Sequence, residues 1–352
     1  MIDKNSMTKN DRISNFIDTL QSRVFLTNLS QKATLPFLLL IIGIFATSSN
    51  SIFLKLALNE LNVEAILFDR LLIATIAFST WNFISQPWQS RSKEKINIIP
   101  AEEESDSAHH ANQVTLIILG WIILLVIIHT TGRFLYLWSL QRTTAVNALT
   151  LSNLTPIFTF LGAWLFAGKQ FNYRFLIGLA IAVGGGIFLT LEDWLHVENQ
   201  SFGTMAILGD GAALLCAIVY SIAMLITEKL LKKLPDITFL VWRCAVSLVF
   251  IAPFVWIKGY SIFPTTITGW LAILGLGLIC EVISRRLVAH TFKYFSAAFL
   301  TIVFLLEPFP VAFFAWIFLG EALSPFNIMG FILIFTGIYL AKTGKGSQSV
   351  EA

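Results

Sequence analysis

The chain has 352 residues, of which 56% are hydrophobic and 13% charged, with a mean hydropathy of +0.76 and a formal net charge of +3. Soluble domains carry about 25% charged residues because a water-facing surface needs them, so this composition excludes a soluble enzyme, a disordered chain and a fibrous repeat. So small a net charge argues for no nucleic-acid partner, and what remains is a multi-pass protein of the lipid bilayer.

Residues 1–35 are polar and lack an apolar core, which predicts a cytoplasmic tail and not a cleaved signal. Ile13, Phe16, Ile17, Leu20 and Val24 fall at helical spacing, and either a short surface helix or a disordered tail fits them. Apolar runs then follow at 36–57, 64–84, 114–138, 144–167 and 173–191, with a polar insertion at 86–113. Five more run over 204–227, 238–257, 270–291, 297–319 and 325–341, before a tail at 342–352. In hydrocarbon every backbone polar group must be paired within its own segment, so each run predicts a membrane helix. The fold class is therefore an all-α membrane protein of ten transmembrane helices.

The distribution of Lys and Arg sets the orientation. Eighteen lie on one side, or sixteen if Arg285 and Arg286 are counted within their span, against Lys55, Arg142 and Lys258 on the other. Arg70, Arg133 and Arg243 lie within spans. Both termini are accordingly expected in the cytoplasm, with the plasma membrane of a prokaryote the simplest location.

Laid on itself with a shift of 152 residues, the chain repeats. Leu154, Pro156, Ala163, Trp164, Phe166, Gly168, Gly178 and Gly185 meet Leu306, Pro308, Ala315, Trp316, Phe318, Gly320, Gly330 and Gly337. The same shift places His129 on Glu281 and Arg133 on Arg285, and further upstream Arg70 falls on Arg243. The units expected are 36–191 and 204–341. Five helices is an odd number, so the second copy enters the membrane inverted, which is the architecture alternating access uses.

A proline in the fourth helix, then a glycine, then a Gly-rich fifth helix, twice over and with Arg70 early in the second helix, resembles the EamA-type branch of the drug/metabolite transporter superfamily. The motifs are Pro156, Gly168, Gly178 and Gly185, and Pro308, Gly320-Glu321, Gly330 and Gly337. Lys169 departs from the pattern, standing where the second copy has Glu321. The resemblance implies a ten-helix bundle and secondary transport of small metabolites, often amino acids or related solutes being exported.

Ionisable groups inside a membrane face a cavity or a partner. Glu307 lies about ten positions into its span, roughly 15 Å deep, and Pro308 behind it is expected to free a carbonyl near Phe304. Glu307 therefore reads either as a ligand-binding carboxylate or as a protonated group bonded to a neighbouring helix. Glu281 and Arg285 sit one turn apart and either neutralise each other or hold Arg285 towards a substrate anion. Arg286, about 100° around the helix, reads as snorkelling. His129 and Arg133 repeat the spacing, and His129 suits either a coupling proton or a packed hydrogen bond. Arg70 and Arg243 lie near opposite faces, shallow enough to snorkel or to pair at a gate. Asn153, three residues before Pro156, is a candidate solute ligand ahead of Asn147, although both could simply cross-link helices. The candidate substrate-binding set is thus His129, Arg133, Asn153, Glu281, Arg285 and Glu307.

No cofactor is implied. Cys216, Cys244 and Cys280 lie in apolar runs and read as buried hydrophobes. His109-His110 beside Glu102, Glu103, Glu104 and Asp106 reads as a solvated loop and not a metal site. An intramembrane enzyme would need an HExxH helix or paired membrane aspartates, and neither is present. The partners expected are a small solute, lipid and a coupling proton, with an exchanger of phosphorylated anions as the alternative and a non-transporting receptor as a remote one. Oligomeric state is not legible.

Overall fold

The computed structural model describes residues 34–93, 104–190, 204–259, 261–319 and 324–348. The elements of the first half are α1 (Thr34–Ala57), α2 (Val63–Lys93), α3 (Glu104–Leu140), α4 (Ala145–Ser152), α5 (Thr155–Ala167) and α6 (Tyr173–Leu189). The second half has α7 (Thr204–Lys233), α8 (Asp236–Lys258), α9 (Ile267–Leu274), a π-helical stretch (Gly275–Ile283) and α10 (Ser284–Thr291), then α11 (Ala297–Phe304), α12 (Pro308–Leu319) and α13 (Pro325–Thr343). Among the described residues there is no strand, only an isolated antiparallel bridge between Phe295 and Gln348.

Among the described residues, eight helical segments are long and apolar enough to cross a membrane, and α6 is a shorter apolar helix. The 31-residue α2, with Asp69 and Arg70 near its start, is not among these segments. At the insertion, α2 runs on to Lys93 and α3 begins at Glu104, so helix extends from both sides into the stretch read as a loop. His109 and His110 belong to the first turns of α3. The candidate surface helix of the N-terminal tail, the acidic 192–198 connection and Gly320-Glu321 lie outside the described residues.

Helix ends are set by local chemistry. Thr144, Asn172, Thr266, Ser296 and Ser324 each accept a hydrogen bond at an N-cap, from the backbone N–H three residues on. Gly168 and Gly259 close α5 and α8 with φ near +60°, the left-handed conformation that suits glycine.

The repeated glycines have a packing role. A Cβ at Gly178 would lie 2.6 Å from the Gly337 carbonyl oxygen, and one at Gly185 would lie 2.9 Å from that of Gly330. Helices α6 and α13 therefore touch backbone to backbone and run antiparallel. Each glycine meets the partner of the other, which is a self-complementary contact of the kind a two-fold operation generates. Small residues permit this approach where lipid offers no hydrophobic drive between helices.

The largest apolar core gathers near the α7–α8 and α10–α11 connections. Ala297 to Val303 is buried along its whole length, with Phe292, Phe295 and Phe239 around it. The C-terminal segment lies across this end: Ser296 donates its backbone N–H to Ser347 and its hydroxyl to the Gly346 carbonyl, while Asn172 donates to that of Lys345.

Candidate functional site

Glu281 is 3% exposed and sits in the π-helical stretch, where a widened turn displaces side chains from the ordinary helical register. Arg70 of α2 donates to its Oε2 at 2.5 Å, and Arg243 of α8 to its Oε1 at 2.5 Å. Asn50 accepts from the other Arg70 terminal nitrogen at 3.3 Å. The arginines that the internal repeat pairs thus converge on one carboxylate. Both had read as shallow groups at opposite faces; tertiary packing of α2 against α8 brings them together. Arg285, the partner expected for Glu281, is looser: its Nε lies 3.8 Å from Oε1 and makes no hydrogen bond.

The remaining polar groups border this core. Among the described residues, Arg133 has no carboxylate within ion-pair distance, and its side chain is exposed. It nonetheless lies within electrostatic range of Arg70, Arg285 and Glu281. His129, one turn before it, stacks edge-on against Tyr220 at 5.4 Å between ring centroids and feels Arg133, Arg243, Arg285 and Glu281. Gly132 makes the Tyr220 contact possible, since a Cβ there would lie 2.9 Å from the ring. Glu307 is exposed and lies within electrostatic range of Arg285. One connected electrostatic group therefore contains five of the six candidates: His129, Arg133, Glu281, Arg285 and Glu307.

Asn153 stands apart. It closes α4 and donates to the Gly186 carbonyl of α6 at 3.4 Å, the helix cross-link of its two readings. The carbonyl expected to be free at Phe304 is also satisfied: Glu307 N–H donates to it at 2.9 Å. The chain before Pro308 tightens into an i→i+3 turn, so the bond lost to proline is replaced one residue earlier. Ser48 then donates to the Glu307 carbonyl at 3.1 Å. Arg286 does not snorkel freely, because its Nη1 lies 2.6 Å from Asp236 Oδ2. Sequence reasoning missed Tyr220 and the Arg70–Glu281–Arg243 clamp; the alignment of Arg70 with Arg243 was the available signal.

Charge bookkeeping shows what this arrangement can do. Four arginines (70, 133, 243 and 285) face two glutamates (281 and 307), and Glu281 is already shared by two of the arginines. A cationic surplus at this depth calls for an anion, because an isolated charge in a medium of low dielectric is costly.

Known proteins share this architecture. Residues 34–191 and 207–343 each match the EamA-like transporter family. A protein of Archaeoglobus fulgidus described only as an uncharacterized transporter is 24% identical over 318 residues, spanning 88% of this chain and 98% of that one. A WAT1-related protein of Arabidopsis thaliana is 24% identical over 263 residues, 67% of this chain and 70% of its own. An uncharacterized transporter of Synechocystis is 25% identical over 223 residues, 60% of this chain and 63% of its own. One solved crystal structure superposes with a TM-score of 0.65 at 15% identity, covering 87% of this chain and 96% of the other, and supports the fold alone.

Proposed function

The chain belongs to the EamA-like transporter family, and from that premise we propose that it moves a small polar solute bearing an acidic group, an amino acid or a related metabolite, by alternating access. It is a multi-pass membrane transporter and not an enzyme. The observation that carries the substrate reading is Arg133: a guanidinium at the edge of the polar group, beside Arg285 and without a carboxylate partner among the described residues. A solute carboxylate supplies the missing counter-charge to Arg133 and Arg285, by a bidentate contact. Glu307, across from Arg285, takes a solute ammonium.

Two further features support alternating access. The end of the bundle where the C-terminal segment docks is sealed by Ala297–Val303, while Glu307, later in the same span, is exposed. The breaks before Pro156 and Pro308 also fall at equivalent places in the two halves, where hinged helices suit a rocking motion. Both termini in the cytoplasm, residence in the plasma membrane and export as the direction complete the reading. They rest on the Lys/Arg distribution and on the family resemblance.

A second reading, exchange of phosphorylated anions, is favoured by the proximity of Arg133 and Arg285, which suits a dianion. Glu307 opposes it. Reconstitution into proteoliposomes with labelled amino acids, sugars and phosphate esters tests both. Under the first reading Arg133→Ala and Glu307→Gln each depress amino-acid flux. Under the second, Glu307→Gln raises phosphate-ester flux. If no solute of the panel moves in the wild type, the reading fails.

A further inference from the structure

Asp69 lies beside Arg70 in α2, yet it takes no part in the arginine–glutamate group. It is 2% exposed, and neither carboxyl oxygen has a hydrogen-bond partner. Buried polar groups are hydrogen-bonded in the great majority of cases, so an unpartnered buried carboxyl asks for an explanation. Helical spacing places Asp69 on one face with Ile66, three residues before it, and Ile73, four residues after it. Ile66 packs in an apolar cluster with Ile273 and Leu276, and Ile73 is pressed against Gly277, where a Cβ would lie 2.7 Å from its methyl carbon. Asp69 therefore sits in the seam between α2 and the α9–π segment, one residue along the chain from the group that clamps Glu281.

Charged or titratable neighbours on the packed elements are all engaged elsewhere. Arg70, Arg243 and Glu281 bind one another, and Cys244 of α8 lies against Arg243. Cys280 of the π segment pairs with Ser49 at 3.4 Å, and Glu64 at the start of α2 with Lys258 of α8. Asp236, at the start of α8, is held by Arg286 and Lys293. Lys55 of α1 is exposed, and α9 carries no ionisable side chain. A carboxylate without a partner in such an apolar seam is costly, more so than its neutral form.

We propose that Asp69 is the proton-binding group of the transport cycle, protonated while the α2–π seam is closed and ionised when the seam opens to water. This rests on the transporter reading and adds its coupling ion. In the step, the carboxyl O–H bond breaks, its electron pair stays on the oxygen and the proton passes to water at the opened side. Because the closed seam binds the extra proton, rising pH favours the open seam and falling pH the closed one. Opening also frees α2 to shift Arg70 on Glu281, which links the proton to the arginine group.

The test uses full-length protein in lipid nanodiscs, with the three native cysteines replaced by serine and Ile66→Cys as a reporter of the seam. Labelling by a bulky water-soluble maleimide is normalised to Leu58→Cys, an exposed position on the α1–α2 turn, which removes the thiol's own pH dependence. The labelling ratio should rise with pH, by at most about tenfold per pH unit for a single proton. It should be low and flat in Asp69→Asn, and the pH dependence should return in Asp69→Glu. A ratio flat in the wild type, or equally steep in Asp69→Asn, overturns the proposal. In proteoliposomes, Asp69→Asn should keep downhill exchange of labelled amino acids and lose accumulation driven by a pH gradient; intact accumulation would overturn the proposal as well. A wild type that moves no solute yet shows the labelling change would defeat the transport reading and leave the proton site standing.

Discussion

Two regions of this molecule have nearly the same composition and different prospects. At the start of α8, Asp236 is buried and held by Arg286 at 2.6 Å, His290 at 3.3 Å and Lys293 at 3.0 Å. Half-way through the bundle, Glu281 is buried and held by Arg70, Arg243 and Arg285. Each is one acid among three basic side chains. At Asp236 the partners are a third to a half exposed, so water at the helix ends absorbs the surplus. At Glu281 the two closest partners, Arg70 and Arg243, are less than a fifth exposed, and the surplus extends to Arg133. Burial of the partners, and not composition, separates an anchoring ion cluster from a binding site.

The largest effect should come from removing each acid. Glu281→Ala leaves three guanidiniums without their anion where water is scarce, and breaking such a buried pair costs about 3–5 kcal/mol. Asp236→Ala leaves cations that can hydrate, at about 1 kcal/mol. Thermal unfolding of the two variants in detergent would show a large loss for the first and a small one for the second; equal losses would erase the distinction.

A second contrast lies in the arginines. Arg133→Ala removes no ion pair, so the unfolding temperature should hold while solute flux falls at least about tenfold, or ~1.4 kcal/mol of transition-state stabilisation. Arg286→Ala should do the reverse, lowering stability slightly and leaving flux near wild type. Flux and unfolding temperature measured on both variants decide this.

The smallest effect concerns Lys169, which binds Glu228 near the sealed end. Burial holds its ammonium below the ordinary lysine value, outweighing the pull of Glu228, and Lys232 adds to the lowering. Between that lowered value and the ordinary 10.5 the unfolded chain binds more protons than the folded one, so this residue makes stability rise with pH across that alkaline window. Lys169→Met should flatten the slope with a change in stability under about 1 kcal/mol.

Much of the architecture was legible beforehand. Apolar run length locates helices because hydrocarbon forces backbone pairing within each run, and the repeat marked Gly178, Gly185, Gly330 and Gly337, the glycines the structure then brings into contact. Five of the six candidate site residues share one electrostatic group for a similar reason: charged residues survive inside a span only beside a cavity or a partner. The assignments that failed concerned who meets whom. Arg70 and Arg243 read as snorkelling or gate groups with no carboxylate named for them, Glu281 read as paired with Arg285 alone, and Phe304 read as an open carbonyl. In each case the deciding neighbour lay on another helix or in a tightened turn that spacing along one segment does not encode.

What the amino-acid order determined alone is the membrane class, the approximate helices, the two-fold internal repeat and the depth at which charge appears, all consequences of the cost of polar groups in lipid. The tertiary structure alone decided that two arginines share Glu281 while Arg133 has no carboxylate partner among the described residues, that Asn153 ties α4 to α6, and that Asp69 faces an apolar seam. Those outcomes depend on crossing angles and on the widened turn at 275–283, where a difference of one residue in register chooses which side chain meets which charge.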